Sequence, residues 1–127
     1  MKAIFLVMAG GGVGAALRHL LGRALAQQAA ATGWPWGTFA VNLLGGFAMG
    51  LLVGWLAQRG QGDENLRLLL GVGLLGGFTT FSAFSLEAAL MIERGQAMLA
   101  LGYALASVVL AVFALFAGLW IARGVFA

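Results

Sequence analysis

The stretch that most constrains this chain is Gly71 to Glu87, GVGLLGGFTTFSAFSLE. It lies inside an apolar segment, yet it carries four glycines, two threonines and two serines. A helix buried in hydrocarbon needs none of these. A backbone that opens, approaches a partner closely or binds an ion does need them. The stretch predicts a helix broken at about Gly76–Thr80, deep in a bilayer, with the function located there.

Composition supplies the bilayer. Of 127 residues, 62% are hydrophobic and 9% are charged, whereas a soluble domain carries roughly 25% charged residues. There is too little polar material to cover a water-facing surface, so the chain reads as a membrane protein. The net charge is +3, but the basic residues stand singly at the ends of apolar runs, where cations suit lipid headgroups. No nucleic-acid partner is expected. The absence of cysteine removes any disulfide framework or thiolate metal site.

Four spans follow, expected at about residues 3–25, 35–57, 66–92 and 96–122 of a single domain. Met1 to Ala9 resembles the start of a secretory signal, but the apolar run continues and reads as the first span. Ala3–Leu17 has only 15 uncharged residues, short of the ~20 that cross a bilayer. The helix therefore continues through Arg18 towards Arg23. After a polar, small-residue connection at 27–33, Trp34-Pro35-Trp36 opens the second span. Proline suits a first helical turn and tryptophan suits the interface. Pro35–Ala57 is 23 residues without a charge, and Gly46, Gly50 and Gly54 form a smooth face for helix packing. Gln58–Arg67 is the one hydrophilic loop. A short turn at 93–95 leads into Gly95–Ala122, 28 uncharged residues.

The charge distribution is unusual. Lys2, Arg59, Arg67 and Arg123 fall on one side of the four spans; Arg18, Arg23 and Arg94 fall on the other. Four against three is no orienting bias. One reading is insertion in both orientations, so that two copies pair antiparallel and build what transporters often build from inverted repeats.

Several motifs fail. Gly71–Gly76 matches GxGxxG and Gly10–Ala15 matches GxGxxA, but neither lies in the strand–helix setting of a dinucleotide site. Both read as packing glycines. His19 is the lone histidine, and no nucleophile–base grouping is visible. The chain does not read as an enzyme.

The polar residues within the spans align. Thr38, Asn42 and Gly46 form one helical stripe, as do Tyr103, Ser107 and Ala111. Thr38 suits a bond to a neighbouring helix. Asn42, with donor and acceptor, is the better functional candidate. Phe81 and Phe84 share a face at a spacing that ordinarily means core, but Thr79, Thr80, Ser82 and Ser85 surround them. Ring edges are electropositive, so edges and hydroxyl or amide donors together suit an anion without a fixed cation. Glu87 has three readings: a partner for Arg18, a group tuning a pathway, or an interfacial acid. The break is either a packing kink or a set of freed carbonyls, which coordinate hard cations in discontinuous helices.

These residues resemble the Fluc (CrcB) family of fluoride channels. The resemblance covers nearly the whole chain: Gly11-Gly12-Val13-Gly14-Ala15 with Arg18; Gly37-Thr38 with Asn42 and Gly45; Gly76-Gly77-Phe78-Thr79-Thr80-Phe81-Ser82 with Phe84, Ser85 and Glu87; then Tyr103 and Ser107. It implies an all-α membrane protein forming an antiparallel, dual-topology homodimer, with two fluoride pores and a central structural Na+. By motif position, the Gly76 and Thr79 carbonyls would hold the Na+. Asn42, Phe81, Phe84, Tyr103 and Ser107 would line the pore, with Thr38, Ser82, Glu87 and Arg18 beside it. Ala111 stands where the family can place a further hydroxyl.

The expected function is passive fluoride export across a bacterial plasma (inner) membrane, with fluoride, lipid and a second copy of the chain as partners. A proton-coupled small multidrug exporter is the rival, with Glu87 as its carboxylate, although such exporters depend on a first-span acid that Ala3–Leu17 lacks. A non-transporting assembly subunit is the third reading.

Overall fold

The computed structural model describes residues 1–59 and 63–125. The middle of the hydrophilic 58–67 loop, residues 60–62, therefore lies outside the described residues.

Long uncharged runs have only one way to satisfy their backbone in lipid, which is to bond within the helix. The chain does this in α1 (Lys2–Ala24), α2 (Ala26–Thr32), α3 (Trp36–Arg59), α4 (Glu64–Leu66), a π-helical segment (Arg67–Leu75), α5 (Gly76–Phe78), α6 (Ser82–Glu93) and α7 (Ala97–Val125). The result is an all-helical membrane protein. Among the described residues, four helical stretches are long and apolar enough to cross a membrane: Lys2–Ala24, Trp36–Arg59, Glu64–Glu93 and Ala97–Val125.

Two expectations are refined. The polar connection at 27–33 is mostly helical, because Ala26–Thr32 forms the short α2, closed by Gly33 in the left-handed region at φ 75°. The third span does not begin as an ordinary helix. Through Arg67–Leu75 the bonds reach further back, and the Gly76 N–H still contacts the carbonyl of Gly71, five residues away. Such wide turns are rare and concentrate at functional sites.

Glycine sets the packing. α3 lies along α7 over most of its length, and α1 lies along the π segment and α5. In the first pair, a Cβ on Gly50 would strike the Leu115 carbonyl, and one on Gly118 the Phe47 carbonyl. In the second, a Cβ on Gly14 would strike the Leu74 carbonyl, and Gly73 meets Val7 and Gly10 of α1. Gly10 and Gly73, one glycine from each dinucleotide-like string, are thus spent on backbone-to-backbone contact, which in lipid supplies the van der Waals attraction that hydrophobicity cannot.

The turn between α6 and α7 closes as a Schellman motif. Gly95, at φ 79°, donates to the Ile92 carbonyl (3.0 Å), and Gln96 donates to that of Met91 (2.9 Å). Beneath this turn, Met91, Ala100 and Tyr103 form a buried cluster packed by Trp34, Phe39, Phe84, Ala88 and Leu99. At the opposite end, Arg59 pairs with Asp63 (2.6 Å), lies over the Trp55 ring at 4.9 Å, and Arg67 pairs with Glu64.

Candidate functional site

The site is built where helical structure lapses. α5 ends at Phe78, Thr79 is extended (φ −80°, ψ 160°), and α6 starts at Ser82. Gly76 and Gly77 are themselves helical, so the lapse falls at Thr79–Phe81, later than the glycines alone indicated. In an unbroken α-helix the Thr80 N–H would bond the Gly76 carbonyl. Here it donates to Asn42 Oδ1 (2.9 Å), while Asn42 Nδ2 donates to the Thr80 carbonyl (3.0 Å). The side-chain amide thus replaces a peptide neighbour, holding an interrupted backbone that lipid could not solvate.

Threonine hydroxyls complete the repair. Thr79 Oγ1 donates to the Leu75 carbonyl (2.9 Å), and Thr80 Oγ1 accepts from the Ala83 N–H (3.2 Å) at the start of α6. The regular helical donors of the Gly76 and Thr79 carbonyls, the Thr80 and Ala83 N–H groups, are therefore both engaged elsewhere. Gly76 lies on the exposed surface. Oxygen atoms released in this way are suitable ligands for a hard cation.

Beside the lapse is a cavity of about 260 Å³ lined by Asn42, Thr79, Thr80, Phe81, Phe84, Ser107, Val108 and Ala111. It brings Asn42, both phenylalanines and Ser107 together from three spans. Its lining includes the aromatic rings of Phe81 and Phe84, 5.7 Å apart between centroids. Phe81 is 78% exposed and Val108 58%, so part of the rim lies at the chain's own surface. Asn42 has spent its carbonyl oxygen and one N–H on Thr80; its second N–H remains as a donor.

Tyr103 is placed differently. Its ring is fully buried, 5.1 Å from Phe84 and edge-on to Trp34 at 5.4 Å, one turn of α7 from Ser107. Neither the Tyr103 hydroxyl nor Ser107 Oγ has a hydrogen-bond partner among the described residues. Ser82 is exposed, with its hydroxyl 3.4 Å from that of Thr80.

Of the three readings of Glu87, pairing with Arg18 is not what occurs. Glu87 accepts a hydrogen bond from Thr38 Oγ1, and Arg18 makes no ion pair among the described residues. Among the described residues, the acids that form ion pairs, Asp63 and Glu64, belong to the hydrophilic connection. Glu87 also lines a larger cavity of about 630 Å³, with Trp34, Pro35, Met91, Arg94 and Gln96 around it.

Sequence reasoning missed two residues. Thr80, whose carbonyl accepts from the Asn42 amide and whose hydroxyl accepts from the Ala83 N–H, reads in the sequence as one hydroxyl among several; a hydroxyl next to a lapse in a helix is the available signal. Trp34 reads in the sequence as part of the interface belt, and no local pattern places it against Tyr103.

Four spans, a lapse repaired by side chains and a donor-lined cavity along the third span define a helical integral membrane protein with an intramembrane polar site. The family model described as CrcB-like protein, Camphor Resistance (CrcB), matches residues 5–119, and the chain belongs to that family. Among its relatives, the fluoride-specific ion channel FluC of Phenylobacterium zucineum (strain HLK1) is 63% identical, with both chains covered in full. The protein of that name from Caulobacter vibrioides (strain NA1000 / CB15N) is 56% identical, again over both full lengths. That of Novosphingobium aromaticivorans is 56% identical, covering 98% of this chain and 99% of the relative.

Proposed function

We propose that this protein is a passive, fluoride-selective ion channel, active as an antiparallel homodimer with two pores. The observation that carries the reading is the cavity in which Asn42, Phe81, Phe84 and Ser107 converge, in a chain whose full-length relatives bear the name of fluoride-specific channels. Fluoride is small and strongly hydrated, so it leaves water only where several donors replace its shell. The free N–H of Asn42, the hydroxyls of Ser107 and Tyr103, and the positive ring edges of Phe81 and Phe84 supply that replacement. None of them is a fixed cation that would trap the ion, and conduction requires binding that also lets go.

The exposed rim at Phe81 favours a second copy, whose surface closes the pathway. The balanced basic residues allow that copy to be inverted. Two chains in this arrangement bring two sets of Gly76 and Thr79 carbonyls together at the centre, where a structural Na+ bridges them. Thr38, Ser82, Glu87 and Arg18 lie along or beside the route. In a bacterial inner membrane such a channel lets fluoride that entered as the neutral acid leave down its electrochemical gradient, giving fluoride resistance. It carries out ion transfer and no covalent chemistry.

The experiment is electrical. Purified protein in liposomes is expected to release fluoride and retain chloride on addition of a potassium ionophore, followed with ion-selective electrodes. Equal release of both anions, or release of neither, sinks the reading; uptake of organic cations driven by a pH gradient would replace it with an exporter.

A further inference from the structure

Among the described residues, three buried side-chain polar atoms have no hydrogen-bond partner: Trp34 Nε1, Tyr103 Oη and Ser107 Oγ. All three are donors, and the indole N–H can do nothing but donate. Buried donors without acceptors are rare in proteins, and each costs free energy unless an absent group satisfies it. These three are also contiguous. Trp34 lines the larger cavity with Glu87 and Arg94 and meets Tyr103 edge-on at 5.4 Å. Ser107, one turn along α7, lines the smaller cavity.

We infer that Trp34 is a fluoride-binding residue: its indole N–H is the first intramembrane donor to an anion passing from the larger cavity towards Tyr103 and Ser107. The inference rests on the proposed fluoride conduction and adds to it a residue on the wet side of the aromatic cluster. The larger cavity lies at the loop end of the bundle, lined by the α2–α3 connection and the α6–α7 turn. Arg94 there attracts an anion. The anion must then lose water before it reaches Ser107, beneath the packed rings of Trp34, Phe84 and Tyr103. A donor at the entrance lets shell oxygens be given up one at a time. The local structure holds the indole in place. The Thr32 hydroxyl accepts from Trp36 Nε1 (3.0 Å) and from the Trp34 backbone N–H (3.3 Å), while Phe39 packs edge-on against the Trp34 ring at 5.3 Å. The neighbouring tryptophan is thus satisfied by protein, and Trp34 Nε1 is not.

The test replaces the N–H and keeps the shape. Trp34 is exchanged for benzothienylalanine, in which sulfur stands in the place of the indole N–H, and separately by Trp34→Phe. Fluoride efflux from liposomes is expected to fall about tenfold in both, the loss of one hydrogen bond to an ion. Elution volume and thermal midpoint of the benzothienylalanine protein should match the parent. Parental efflux in the benzothienylalanine protein overturns the inference, whatever Trp34→Phe does, because the ring alone would then suffice. Were the parent itself to pass no fluoride, the proposed function would fail first, and the inference with it. A slowed variant beside a conducting parent supports both.

Discussion

Asn42 and Thr80, 38 positions apart, are joined by a closed pair of hydrogen bonds: amide nitrogen to carbonyl at 3.0 Å, peptide N–H to amide oxygen at 2.9 Å. One side chain on α3 thus serves both main-chain polar groups of Thr80, the N–H and the carbonyl of two successive peptide units in the lapse.

Removing that amide should therefore unfold more than it silences. Asn42→Ala strands a buried N–H and a buried carbonyl, each costing about 1–3 kcal/mol. A clearly lower thermal midpoint in detergent is expected, together with loss of fluoride efflux. A variant as stable as the parent would mean that the pair contributes nothing to folding.

Phe81 should behave in the opposite way. It is 78% exposed within one chain, so Phe81→Ala gives up little of that chain's packing while removing a proposed ring contact. Efflux is expected to vanish with the dimer still formed, and Phe84→Ala should do the same at some cost in stability from its contact with Tyr103. Full efflux in both variants, measured by electrode, would remove the rings from the pathway.

Close packing makes a graded prediction. A methyl group on Gly50 would overlap the Leu115 carbonyl, whereas nothing lies within 4 Å of one on Gly12 or Gly102. Gly50→Ala should destabilise by at least the 1–3 kcal/mol typical of overpacking, and the other two should be near neutral. Thermal melts of the three proteins decide it; equal midpoints would contradict the helix pairing.

Under the proposed reading, in which the Gly76 and Thr79 carbonyls hold a Na+, the stability of the dimer depends on that ion. Dialysis against a large organic cation should lower the melting midpoint and slow efflux, and added Na+ should restore both, because a ligand bound only by the assembled state stabilises it by mass action. Indifference to Na+ would refute the central cation.

Orientation can be read from a single thiol, because the chain has no cysteine. With Gly124→Cys, an exposed position beside the last basic residue that leaves the charge balance unchanged, an impermeant maleimide applied to intact cells should label about half of the protein if insertion is dual, as weak charge bias allows. Complete labelling or none would establish one orientation.

Much of this architecture was legible in the residues. Uncharged runs marked the four spans, because nothing but a helix can bury so many backbone groups in lipid. The stripe Gly46, Gly50, Gly54 announced a face on which another backbone rests, and α7 rests there. What was not legible depends on distance. The glycines of this stretch stop at Gly77, and only the grip of Asn42 on Thr80 places the lapse after Phe78. Arg18 and Glu87 looked complementary by charge, yet Glu87 meets Thr38, a neighbour that helix packing determines. The π-helical run has no local signature in Arg67–Leu75, where leucine and glycine fit an α-helix as well.

Phe81 and Val108 leave the smaller cavity without a complete wall of its own. A lone copy in the bilayer would present that gap to acyl chains, which fill it with hydrocarbon and bar a hydrated ion. Under the proposed pairing, a newly inserted subunit is electrically silent until it finds its mate. The membrane is then never exposed to half a channel.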